Sequence, residues 1–370
     1  MKKKIKNLVV GSGLSGAIIA ERIASILGEE VLVIDRRNHL GGNCFDYFDN
    51  NKICIHKYGP HIFHTEIEQV WQYLNNFTKF NNFEFKPQVI IDGKPCTLPF
   101  NLNTLHQVFE KSKADFLEKK LVQKYGKNGK ISILELKNEG DKDLKELSEF
   151  VYKKVFEGYT VKQWGLKPEK IDHSVTARVP VMISCDDRYF QDKYQGIPEN
   201  GYTKMIENIL NHPKIEIRLN VDFHQSDFEY EKLFFTGAID EFFGYKFGKL
   251  PYRSLHFDIE EKNTEYFQNA AMVNYPCDFD FTRITEHKYF LGTKSPKTVV
   301  SYEYPQEFEL GKNERYYPIS NPENQALYEK YLQEAKKLKN VYFLGRLGDY
   351  KYYNMDLTVE RALNLFKGVK

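Results

Sequence analysis

Residues 5–16 read IKNLVVGSGLSG, a short apolar run that passes directly into three glycines spaced as GxGxxG. The following AIIAERIASILG has apolar residues at helical spacing, and VLVI at 31–34 is followed at once by Asp35. A strand, a glycine-rich turn, a helix and a second strand closed by an acidic residue form the fingerprint of dinucleotide-binding folds. The stretch therefore predicts a Rossmann-like α/β domain at the N-terminus.

Each part of this fingerprint has a physical function. Gly11 permits a tight turn, Gly13 lets backbone N–H groups approach a pyrophosphate at the helix N-terminus, and Gly16 permits close packing of helix on strand. An acidic side chain at the end of the second strand can accept hydrogen bonds from a ribose. The predicted dinucleotide contacts in this part of the chain are Gly11, Ser12, Gly13, Leu14, Ser15, Gly16 and Asp35.

A second glycine pair favours FAD as the dinucleotide. The segment RRNHLGGN at 36–43 places Gly41 and Gly42 just after the acidic strand end. FAD lies extended when bound, and a second close backbone approach near its phosphates or isoalloxazine needs such glycines. Two later segments, LFFTGA at 233–238 and VYFLGRLGDY at 341–350, also have the pattern of strands that end in glycine. The chain is therefore predicted to leave the nucleotide-binding domain and return to it.

Composition excludes several other classes of protein. The chain has 370 residues, 41% hydrophobic and 28% charged, which is typical of a soluble globular protein of more than one domain. A net charge of +2 gives no basis for nucleic-acid binding, and no apolar run is long enough to predict membrane insertion. Five scattered cysteines without a CxxC pair argue for a reducing compartment and against a zinc ribbon. We expect a cytoplasmic protein.

The middle of the chain changes pattern twice. Between about residues 102 and 159, apolar residues recur at three- and four-residue spacing, which predicts a small helical insertion. Its end, GYTVKQWGLKPEKID at 158–172, is rich in turn-forming residues, so we expect a mobile loop at about 160–172. Short β-like runs at 250–320 instead predict an antiparallel sheet.

The predicted fold class is therefore α/β, with an FAD-binding Rossmann-like domain, a helical insertion domain and an antiparallel β-sheet domain. The FAD-binding domain is discontinuous and comprises 1–80, 198–243 and 338–370. The helical domain comprises 101–175, and the sheet domain comprises 81–100, 176–197 and 244–337.

The segment HKYGPHIFHT at 56–65 contains three histidines within nine positions. A metal triad requires converging imidazoles, but the glycine–proline pair before His61 predicts a turn, and the β-like residues after it scatter the rings. We therefore predict no metal in this segment and a structural role for His56. A general acid or base role for His61 or His64 stays open at this point.

Nearly the whole chain resembles the prokaryotic UDP-galactopyranose mutases. The matching stretches run from residue 11 to residue 356 and are GSGLSG, RNHLGGN, HKYGPHIFHT, LPFNLNT, EGYTVKQWG, TARVPV, DDRYFQDKYQGIPENGYTKM, VNYP, TRITEHKYF and GRLGDYKYYNMD. GPHIFHT and the Arg-Leu-Gly segment with its tyrosines are much more specific to this family than GxGxxG is.

The resemblance implies a flavin-dependent isomerase that interconverts UDP-α-D-galactopyranose and UDP-α-D-galactofuranose by ring contraction, without net redox change. In this family FAD is active in its reduced form, and its N5 attacks the anomeric carbon C1 and displaces UDP. The flavin–sugar adduct opens through an iminium and recloses as the furanose. The family also implies a homodimer that supplies galactofuranose for cell-surface polysaccharide.

The resemblance also assigns residues to the substrate. Arg178 and Arg283 match the family's two diphosphate-binding arginines, and a leaving diphosphate needs such planar cations. The other matches are three tyrosines that donate to the phosphates, a tyrosine that stacks on uracil, a loop tryptophan and an asparagine that helps to hold the nucleotide. In that order they are Tyr189, Tyr317, Tyr352, Tyr159, Trp164 and Asn274.

On the flavin side, the resemblance suggests that the GPHIFHT backbone and its histidines line the flavin near the sugar, and that Arg346 influences the reduced, anionic ring. The implied catalytic set is Arg178, Arg283, His61 and His64. The further cofactor-binding residues are Arg36, Gly41, Gly42, Asn43, His61, Ile62, Gly237, Arg346, Tyr352, Met355 and Asp356. Asn354 stands where many relatives carry an aspartate, so we assign it no charged role.

Three other functions are compatible with parts of this pattern. A flavin-dependent oxidase or dehydrogenase shares the opening fingerprint, and fold alone does not separate it from a mutase. The paired arginines and tyrosines favour the mutase, because an amine substrate has no use for a diphosphate clamp. A mutase preferring UDP-N-acetylgalactosamine and a nucleotide-binding regulator without turnover are the other two alternatives.

Overall fold

The structure, a computed structural model, describes residues 4–165 and 180–369. Its internal contacts divide the chain into two compact units, each assembled from separated segments. The first unit comprises Met1–Phe83, Asp192–Ser254 and Phe308–Lys370, and the second comprises Glu84–Gln191 and Leu255–Glu307. In the part of the chain that the structure describes, no helix combines the length and the apolar character needed to cross a membrane.

Strands and helices occur throughout both units. The strands are β1 (Ile5–Val10), β2 (Val31–Ile34), β3 (Asp46–Phe48), β4 (Cys54–His56), β5 (Phe63–Thr65), β6 (Gln88–Ile91), β7 (Lys94–Thr97), β8 (Lys130–Ile131), β9 (Val181–Met182), β10 (Tyr194–Gly196), β11 (Ile215–Arg218), β12 (Tyr230–Phe235), β13 (Tyr252–Lys262), β14 (Met272–Asn274), β15 (Arg283–Glu286), β16 (Thr298–Glu307), β17 (Tyr317–Pro318) and β18 (Val341–Phe343). The helices are α1 (Leu14–Arg22), α2 (Glu68–Asn75), α3 (Leu102–Val108), α4 (Lys111–Tyr125), α5 (Ile133–Lys137), α6 (Lys142–Val151), α7 (Gly158–Trp164), α8 (Gly201–Leu210), α9 (Ile239–Phe242), α10 (Pro322–Ala335), α11 (Gly345–Gly348) and α12 (Met355–Val369).

A parallel sheet in the order β11-β2-β1-β12-β18 forms the centre of the first unit. Helix α1 packs against α8 and α12 on this sheet. Leu8, Val9 and Val33 have no exposed surface, because a parallel sheet is covered on both faces. Such strands are mostly apolar, which is why the apolar residues of IKNLVV and the run VLVI identified them. The predicted Rossmann-like α/β fold is confirmed.

The second unit combines helices with a largely antiparallel sheet. Strands β16, β15 and β14 are antiparallel neighbours, β6 continues the sheet parallel to β14, and β7 pairs antiparallel with β6. Asp92 and Gly93 join β6 to β7 with φ values of 50° and 77°, the conformation that a tight two-residue hairpin turn requires. Leu105 and Leu147 of the helices share one apolar core with Val89 of the sheet.

The grouping of segments differs from the predicted domains in two respects. The helical segment and the antiparallel sheet were predicted as separate domains, but they share a core and form one unit. Residues 81–83, 192–197, 244–254 and 308–337 were predicted in the sheet domain, but they belong to the first unit, where Tyr331 of α10 is buried against Ile239 and Tyr350. Periodicity shows which face of an element is apolar, but it does not show which core receives that face.

The first part of the predicted loop at 160–172 is helical instead. Helix α7 continues a π-helical stretch at Tyr152–Glu157 and ends at Gly165, which has a φ of 68°. Val155 and Phe156 are buried in the core of the second unit, so packing extends the helix through Gly158 despite the low helix propensity of glycine. Residues 166–172 lie outside the described residues.

Candidate functional site

A cavity of about 240 Å³ lies at the carboxyl ends of the parallel strands in the first unit. Residues that follow the five strands line it, namely Gly11, Asp35, Val221, Thr236 and Gly345. Open parallel sheets bind ligands at this edge, where the strand order reverses. Here the reversal falls between β1 and β12. This cavity is therefore the candidate dinucleotide site.

Glycines allow the backbone to come close together around this cavity. Gly11 has a φ of +100°, and a Cβ on it would lie 2.0 Å from Oγ1 of Thr236. A Cβ on Gly42 would lie 3.0 Å from Cα of Gly13, so the second predicted glycine pair packs directly on the first glycine turn. The first glycine turn and the second glycine pair thus form one wall of the cavity in which backbone atoms are not covered by side chains. Such a wall fits a dinucleotide whose phosphates bind backbone N–H groups at a helix N-terminus.

Asp35 is hydrogen-bonded through both carboxylate oxygens. Its Oδ2 accepts hydrogen bonds from the N–H and the hydroxyl of Ser12, both at 2.7 Å, and its Oδ1 accepts one from the N–H of Arg37 at 2.9 Å. A carboxylate offers roughly four acceptor positions, so Oδ1 keeps capacity for a ribose hydroxyl. Asp35 therefore holds the glycine turn in place and lines the cavity as well.

Most of the predicted cofactor residues line this cavity. They are Gly11, Gly13, Leu14, Ser15, Asp35, Arg36, Gly41, Gly42, Asn43, His61, Gly237, Arg346 and Met355. Ser12 is fully buried behind the glycine turn, and a Cβ on Gly16 would lie 2.0 Å from the carbonyl oxygen of Gly11. Ile62, Tyr352 and Asp356 belong to the same unit but are not among the lining residues.

Arg346 links the cavity to two of the predicted substrate tyrosines. Its Nε and Nη2 donate to the carbonyl of Tyr353 at 2.9 and 2.6 Å. Its guanidinium lies 5.0 Å from the ring centre of Tyr352 and 5.8 Å from that of Tyr317. The two rings are 5.2 Å apart. Hydrogen bonds and cation–π contacts thus hold Arg346 and these two tyrosines together as one group.

Asp356, another predicted cofactor residue, is bonded within the protein. It lies in the first turn of α12, where its Oδ1 accepts from the N–H of Leu357 at 2.8 Å and its Oδ2 accepts from the hydroxyl of Thr65 at 3.3 Å. These contacts tie the start of α12 to β5. Met355, the residue before it, lines the cavity, so Asp356 helps to position that wall.

The three histidines of residues 56–64 have different partners. His61 lines the cavity, and its Nδ1 lies 2.9 Å from the carbonyl oxygen of Gly59, so this nitrogen carries the proton. Nδ1 of His64 lies 3.0 Å from Oδ2 of Asp192. Nδ1 of His56 accepts a hydrogen bond from the N–H of His61 at 3.1 Å. Each ring therefore has its own hydrogen-bond partner.

Asp46, Cys54 and His56 bring three potential metal ligands within 4.8 Å of one another in the buried interior. Their hydrogen bonds indicate a structural role. The Asp46 carboxylate accepts from the N–H groups of Tyr202 and Thr203 at 2.6 and 2.9 Å, so it caps the N-terminus of α8. Burial raises the pKa of the Cys54 thiol above its usual value, whereas metal binding requires the thiolate.

In the second unit, strand register places three polar residues in one row. Asn274 of β14 lies opposite Arg283 of β15, and Arg283 lies opposite Glu303 of β16. Residues directly opposite one another share a face of the sheet. The Oδ1 atom of Asn274 is buried and has no hydrogen-bond partner among the described residues. The row thus offers a ligand a buried acceptor next to a cation.

Glu303 orients Arg283. Its side chain is 1% exposed, and its Oε2 accepts from Nε of Arg283 at 2.8 Å and lies 2.6 Å from Nη2. A charge-assisted contact of this kind fixes the plane of the guanidinium. An arginine held in one orientation is the element that a diphosphate clamp requires.

Helix α7 carries Tyr159 and Trp164 and is anchored by Lys162. The Lys162 ammonium donates to the carbonyl of Tyr275 at 2.9 Å, which belongs to the loop 275–282 between β14 and β15. Burial lowers the pKa of Lys162, although nearby acidic groups oppose this effect. The same loop joins the two strands that carry the polar row, so Lys162 connects the predicted uracil-binding helix to that row.

The remaining predicted substrate residues are distributed over both units. The ring of Tyr189 packs against Phe85 and Phe190 at centroid distances of 5.5 and 5.0 Å. Arg178 lies outside the described residues. The second unit contains Tyr159, Trp164, Tyr189, Asn274 and Arg283, and the first unit contains Tyr317 and Tyr352.

Several residues that line the cavity were not expected from the sequence. They are Arg37, Cys44, Val221, Asp222, Phe223, His224, Phe235, Thr236, Ala238, Glu241, Glu314, Arg315, Gly345, Leu347 and Thr358, with Val10 at the end of β1. A signal existed for Arg37, which is the second of two arginines after Asp35. The residues at 221–224 follow β11, so recognising that strand would have placed them at the ligand-binding edge. Glu241, Glu314 and Arg315 have no local signal.

Comparison with known proteins was consistent across sequence and structure. A family profile described as UDP-galactopyranose mutase matches residues 154–352, and one described as an NAD(P)-binding Rossmann-like domain matches residues 9–77. The chain is 40% identical over 362 residues to a probable UDP-galactopyranose mutase of Klebsiella pneumoniae, covering 96% of this chain and 92% of that protein. It is 38% identical over 374 residues to a dTDP-fucopyranose mutase of Escherichia coli, covering 97% and 96%. A crystal structure of reduced UDP-galactopyranose mutase has the same fold, with a TM-score of 0.74 at 16% identity over 99% of this chain and 94% of that chain.

Proposed function

Because the chain belongs to the UDP-galactopyranose mutase family of isomerases, which implies a flavin cofactor, we propose that it interconverts UDP-α-D-galactopyranose and UDP-α-D-galactofuranose by ring contraction. The observation that carries this proposal is the row of Asn274, Arg283 and Glu303. A buried acceptor beside an arginine oriented by a buried carboxylate suits a nucleoside diphosphate. An oxidase acting on an amine has no need of such a row.

The cavity of the first unit would hold FAD in its reduced form. Backbone N–H groups of the glycine turn would bind the pyrophosphate, and Oδ1 of Asp35 would accept from a ribose hydroxyl. His61, Arg346 and Met355 would bound the isoalloxazine. When bound, the reduced flavin would supply the nucleophile for the displacement of UDP at C1. The protein supplies position, charge and exclusion of water.

Arginines and tyrosines would stabilise the departing diphosphate. Charge accumulates on UDP as the bond to C1 breaks, and preorganised cations stabilise such charge most strongly where water is excluded. Arg283 would bind the diphosphate in the orientation set by Glu303, and Arg178 would be the second arginine of the clamp. Hydroxyl donors to the same phosphates would come from Tyr189, Tyr317 and Tyr352.

Two histidines are candidates for proton transfer. The ring oxygen gains a proton when the pyranose opens, and the C4 hydroxyl loses one when the furanose closes. Nδ1 of His61 is occupied by the carbonyl of Gly59, so its Nε2 would be the nitrogen that exchanges a proton. His64, whose Nδ1 is paired with Asp192, would act in the same way through its Nε2.

The nucleotide base would bind on the side of α7. Tyr159 would stack on uracil, Trp164 would lie near the substrate, and Oδ1 of Asn274 would accept a hydrogen bond from the nucleotide. We further propose a cytoplasmic homodimer that supplies galactofuranose for cell-surface polysaccharide. The five cysteines are all unpaired, in keeping with a reducing compartment.

Incubation of the dithionite-reduced protein with UDP-galactose, with chromatographic separation of pyranose and furanose products, tests the proposal. We expect UDP-galactofuranose in the reduced sample and almost none in an air-oxidised control, without any oxidised sugar. An oxidised sugar formed with consumption of an electron acceptor would show an oxidase instead. Unchanged UDP-galactose after long incubation would favour a regulator without turnover.

A second candidate substrate follows from the relative named as a dTDP-fucopyranose mutase. The same ring contraction on another nucleotide sugar would use the same polar row and the same cofactor cavity. Parallel assays with dTDP-fucose and UDP-N-acetylgalactosamine would measure this. We expect the highest kcat/KM with UDP-galactose, and a higher value with either of the others would reassign the substrate.

Replacing Lys162 by methionine is expected to raise the KM for UDP-galactose about tenfold and to change kcat much less. Methionine keeps most of the apolar stem but donates no hydrogen bond to the Tyr275 carbonyl, and a bond from a charged donor contributes about 1.5–3 kcal/mol. Helix α7 would then be less fixed relative to loop 275–282. Steady-state kinetics of the reduced enzyme would measure both constants.

The matched control is Lys153→Met, because Lys153 is exposed and lies before Gly158, the first residue of α7. We expect wild-type constants for this variant. A Lys162→Met protein that keeps both its melting temperature and the wild-type KM would show that the anchor does not serve nucleotide binding.

A further inference from the structure

Five charged side chains of alternating sign lie along the dinucleotide cavity, and we call them the charged wall. Nη2 of Arg37 and Nη2 of Arg36 each lie 2.9 Å from Oε2 of Glu314. Oε1 of Glu241 lies 4.0 Å from Nη1 of Arg36, and its Oε2 lies 2.7 Å from Nη1 of Arg315. All five residues line the cavity. The wall therefore carries nearly balanced charge, with each arginine facing a carboxylate.

Part of the charged wall is buried and part is exposed. The side chains of Arg37 and Arg315 are 14% and 3% exposed, whereas those of Arg36 and Glu314 are 45% and 35% exposed. Arg37 also donates to Oδ1 of Asn43 at 3.0 Å and lies 4.4 Å from the ring centre of Tyr58. Burial disfavours the charged form of Glu314, but Arg37 and Arg36 outweigh it and lower the pKa of this carboxyl below its usual value. Glu314 is therefore negatively charged at neutral pH.

The sequence Asp35-Arg36-Arg37 at the end of β2 is ambiguous by itself. An acidic residue in this place accepts a hydrogen bond from the ribose 2′-hydroxyl, whereas a nearby arginine accommodates a 2′-phosphate. In the structure both arginines are already bound by Glu314, which comes from a segment nearly three hundred residues away in the chain. A 2′-phosphate entering here would meet the carboxylates of Glu314 and Glu241. Every arginine of the charged wall is already paired with one of these carboxylates.

We propose that Glu314, supported by Glu241, is a specificity-determining residue that restricts the cavity to dinucleotides whose adenosine ribose carries no 2′-phosphate. The proposal rests on the cofactor part of the proposed function, since it assumes that the adenosine of FAD occupies this cavity. Bringing like charges together is one of the means by which a binding site rejects a wrong ligand. Glu314 would thus keep 2′-phosphorylated nicotinamide dinucleotides out of the place that FAD requires.

Titration calorimetry of the flavin-free, full-length chain tests the proposal with two probes, 5′-AMP and adenosine 2′,5′-bisphosphate. We expect the wild type to bind 5′-AMP about tenfold or more tightly than the bisphosphate. Glu314→Gln should raise the affinity for the bisphosphate about tenfold and leave that for 5′-AMP within about threefold. Glu309→Gln is the matched control, because Glu309 lies in the same segment but pairs with the exposed Lys312.

Two further measurements separate recognition from a merely structural effect. Adding Arg36→Ala to Glu314→Gln should remove much of the gained affinity for the bisphosphate, because one of the two released arginines is then absent. In the holoenzyme, the bisphosphate should release fluorescent flavin from Glu314→Gln but not from the wild type. This release experiment remains informative if the flavin-free variant does not fold.

The outcomes distinguish this inference from the function it rests on. Equal wild-type affinities for the two probes, or an unchanged ratio in Glu314→Gln, would overturn the role of Glu314 and leave the cavity as the dinucleotide site. If neither probe binds to the wild type or to Glu314→Gln, and neither protein releases flavin, the cavity would be overturned as the dinucleotide site as well. Conversion of UDP-galactose by the reduced holoenzyme reports on the proposed reaction independently of both.

Discussion

Replacement of Arg283 by alanine is expected to abolish ring contraction while the protein keeps its flavin. The residues that line the cavity proposed for flavin all belong to the first unit, whereas Arg283 belongs to the second. Loss of one preorganised group that stabilises developing charge commonly lowers kcat by about 10²–10³-fold. We expect at least that loss here, because the arginine is held by a buried carboxylate. Turnover of the reduced variant and its flavin absorbance would measure the two effects.

Stability has to be measured in the same variant. Glu303 is 1% exposed, and removing one partner of a buried ion pair commonly costs about 3–5 kcal/mol. The melting temperature of Arg283→Ala is therefore expected to fall. Arg283→Lys keeps the positive charge near Glu303 without the planar fork, and it should restore stability far more than turnover.

Glu303→Gln serves as the matched partner variant. It keeps Arg283 and an acceptor of the same shape, so we expect a smaller loss of turnover than in Arg283→Ala. Full activity in Arg283→Ala would show that the diphosphate clamp lies elsewhere. Loss of flavin from an Arg283→Ala protein that melts like the wild type would show that Arg283 serves the cofactor instead.

The second large effect is expected from Gly16→Ala, which should prevent flavin binding and destabilise the first unit. A Cβ on Gly16 would lie 2.0 Å from the carbonyl oxygen of Gly11 and 3.1 Å from Cγ1 of Val9. Helix α1 would have to move away from β1, and its N-terminus would move with the glycine turn. Forced movements of this kind in a packed interior cost about 1–3 kcal/mol or more. The ratio of flavin to protein and the melting temperature would measure the result.

Gly368→Ala is the control for this substitution. Gly368 is also a helical glycine, within α12, and a Cβ on it would meet no atom within 4 Å. Alanine is the better helix former by about 1 kcal/mol, so this variant should bind flavin normally and be slightly more stable. If Gly16→Ala retained stoichiometric flavin, the close approach of helix to strand would not be what the cofactor site requires.

The motif TRITEHKYF shows how far a sequence pattern identifies function. Of its charged residues, Arg283 lies in the polar row, but Glu286 is fully buried and accepts hydrogen bonds from the N–H groups of Phe267 and Gln268. Burial lowers the pKa of His287, the next residue, to about 3. Lys288 is 1% exposed and donates to the carbonyl of Ser295 at 2.7 Å. Most of the motif therefore organises loops around the sheet.

Local features of the sequence were sufficient for the cofactor-binding part of the fold. The apolar runs of β1 and β2, the glycines between them and Asp35 depend on interactions within a few residues, since periodicity and positive φ are properties of a short segment. Gly41 and Gly42 were identified for the same reason, because a glycine pair is also a feature of a short segment. These predictions locate the cavity because parallel strands present their carboxyl ends at one edge.

The tertiary structure alone decided which of these residues are already bound by another part of the chain. Asp35 is shared between the glycine turn and the cavity, and Glu314 reaches Arg36 across 278 positions of sequence. The pairing of Arg283 with Glu303 depends on strand register, and a shift of one residue would send the two side chains to opposite faces. The partners of such pairs are far apart in the sequence, so no local sequence pattern relates them. Their pairing depends on the topology of the fold and not on local periodicity.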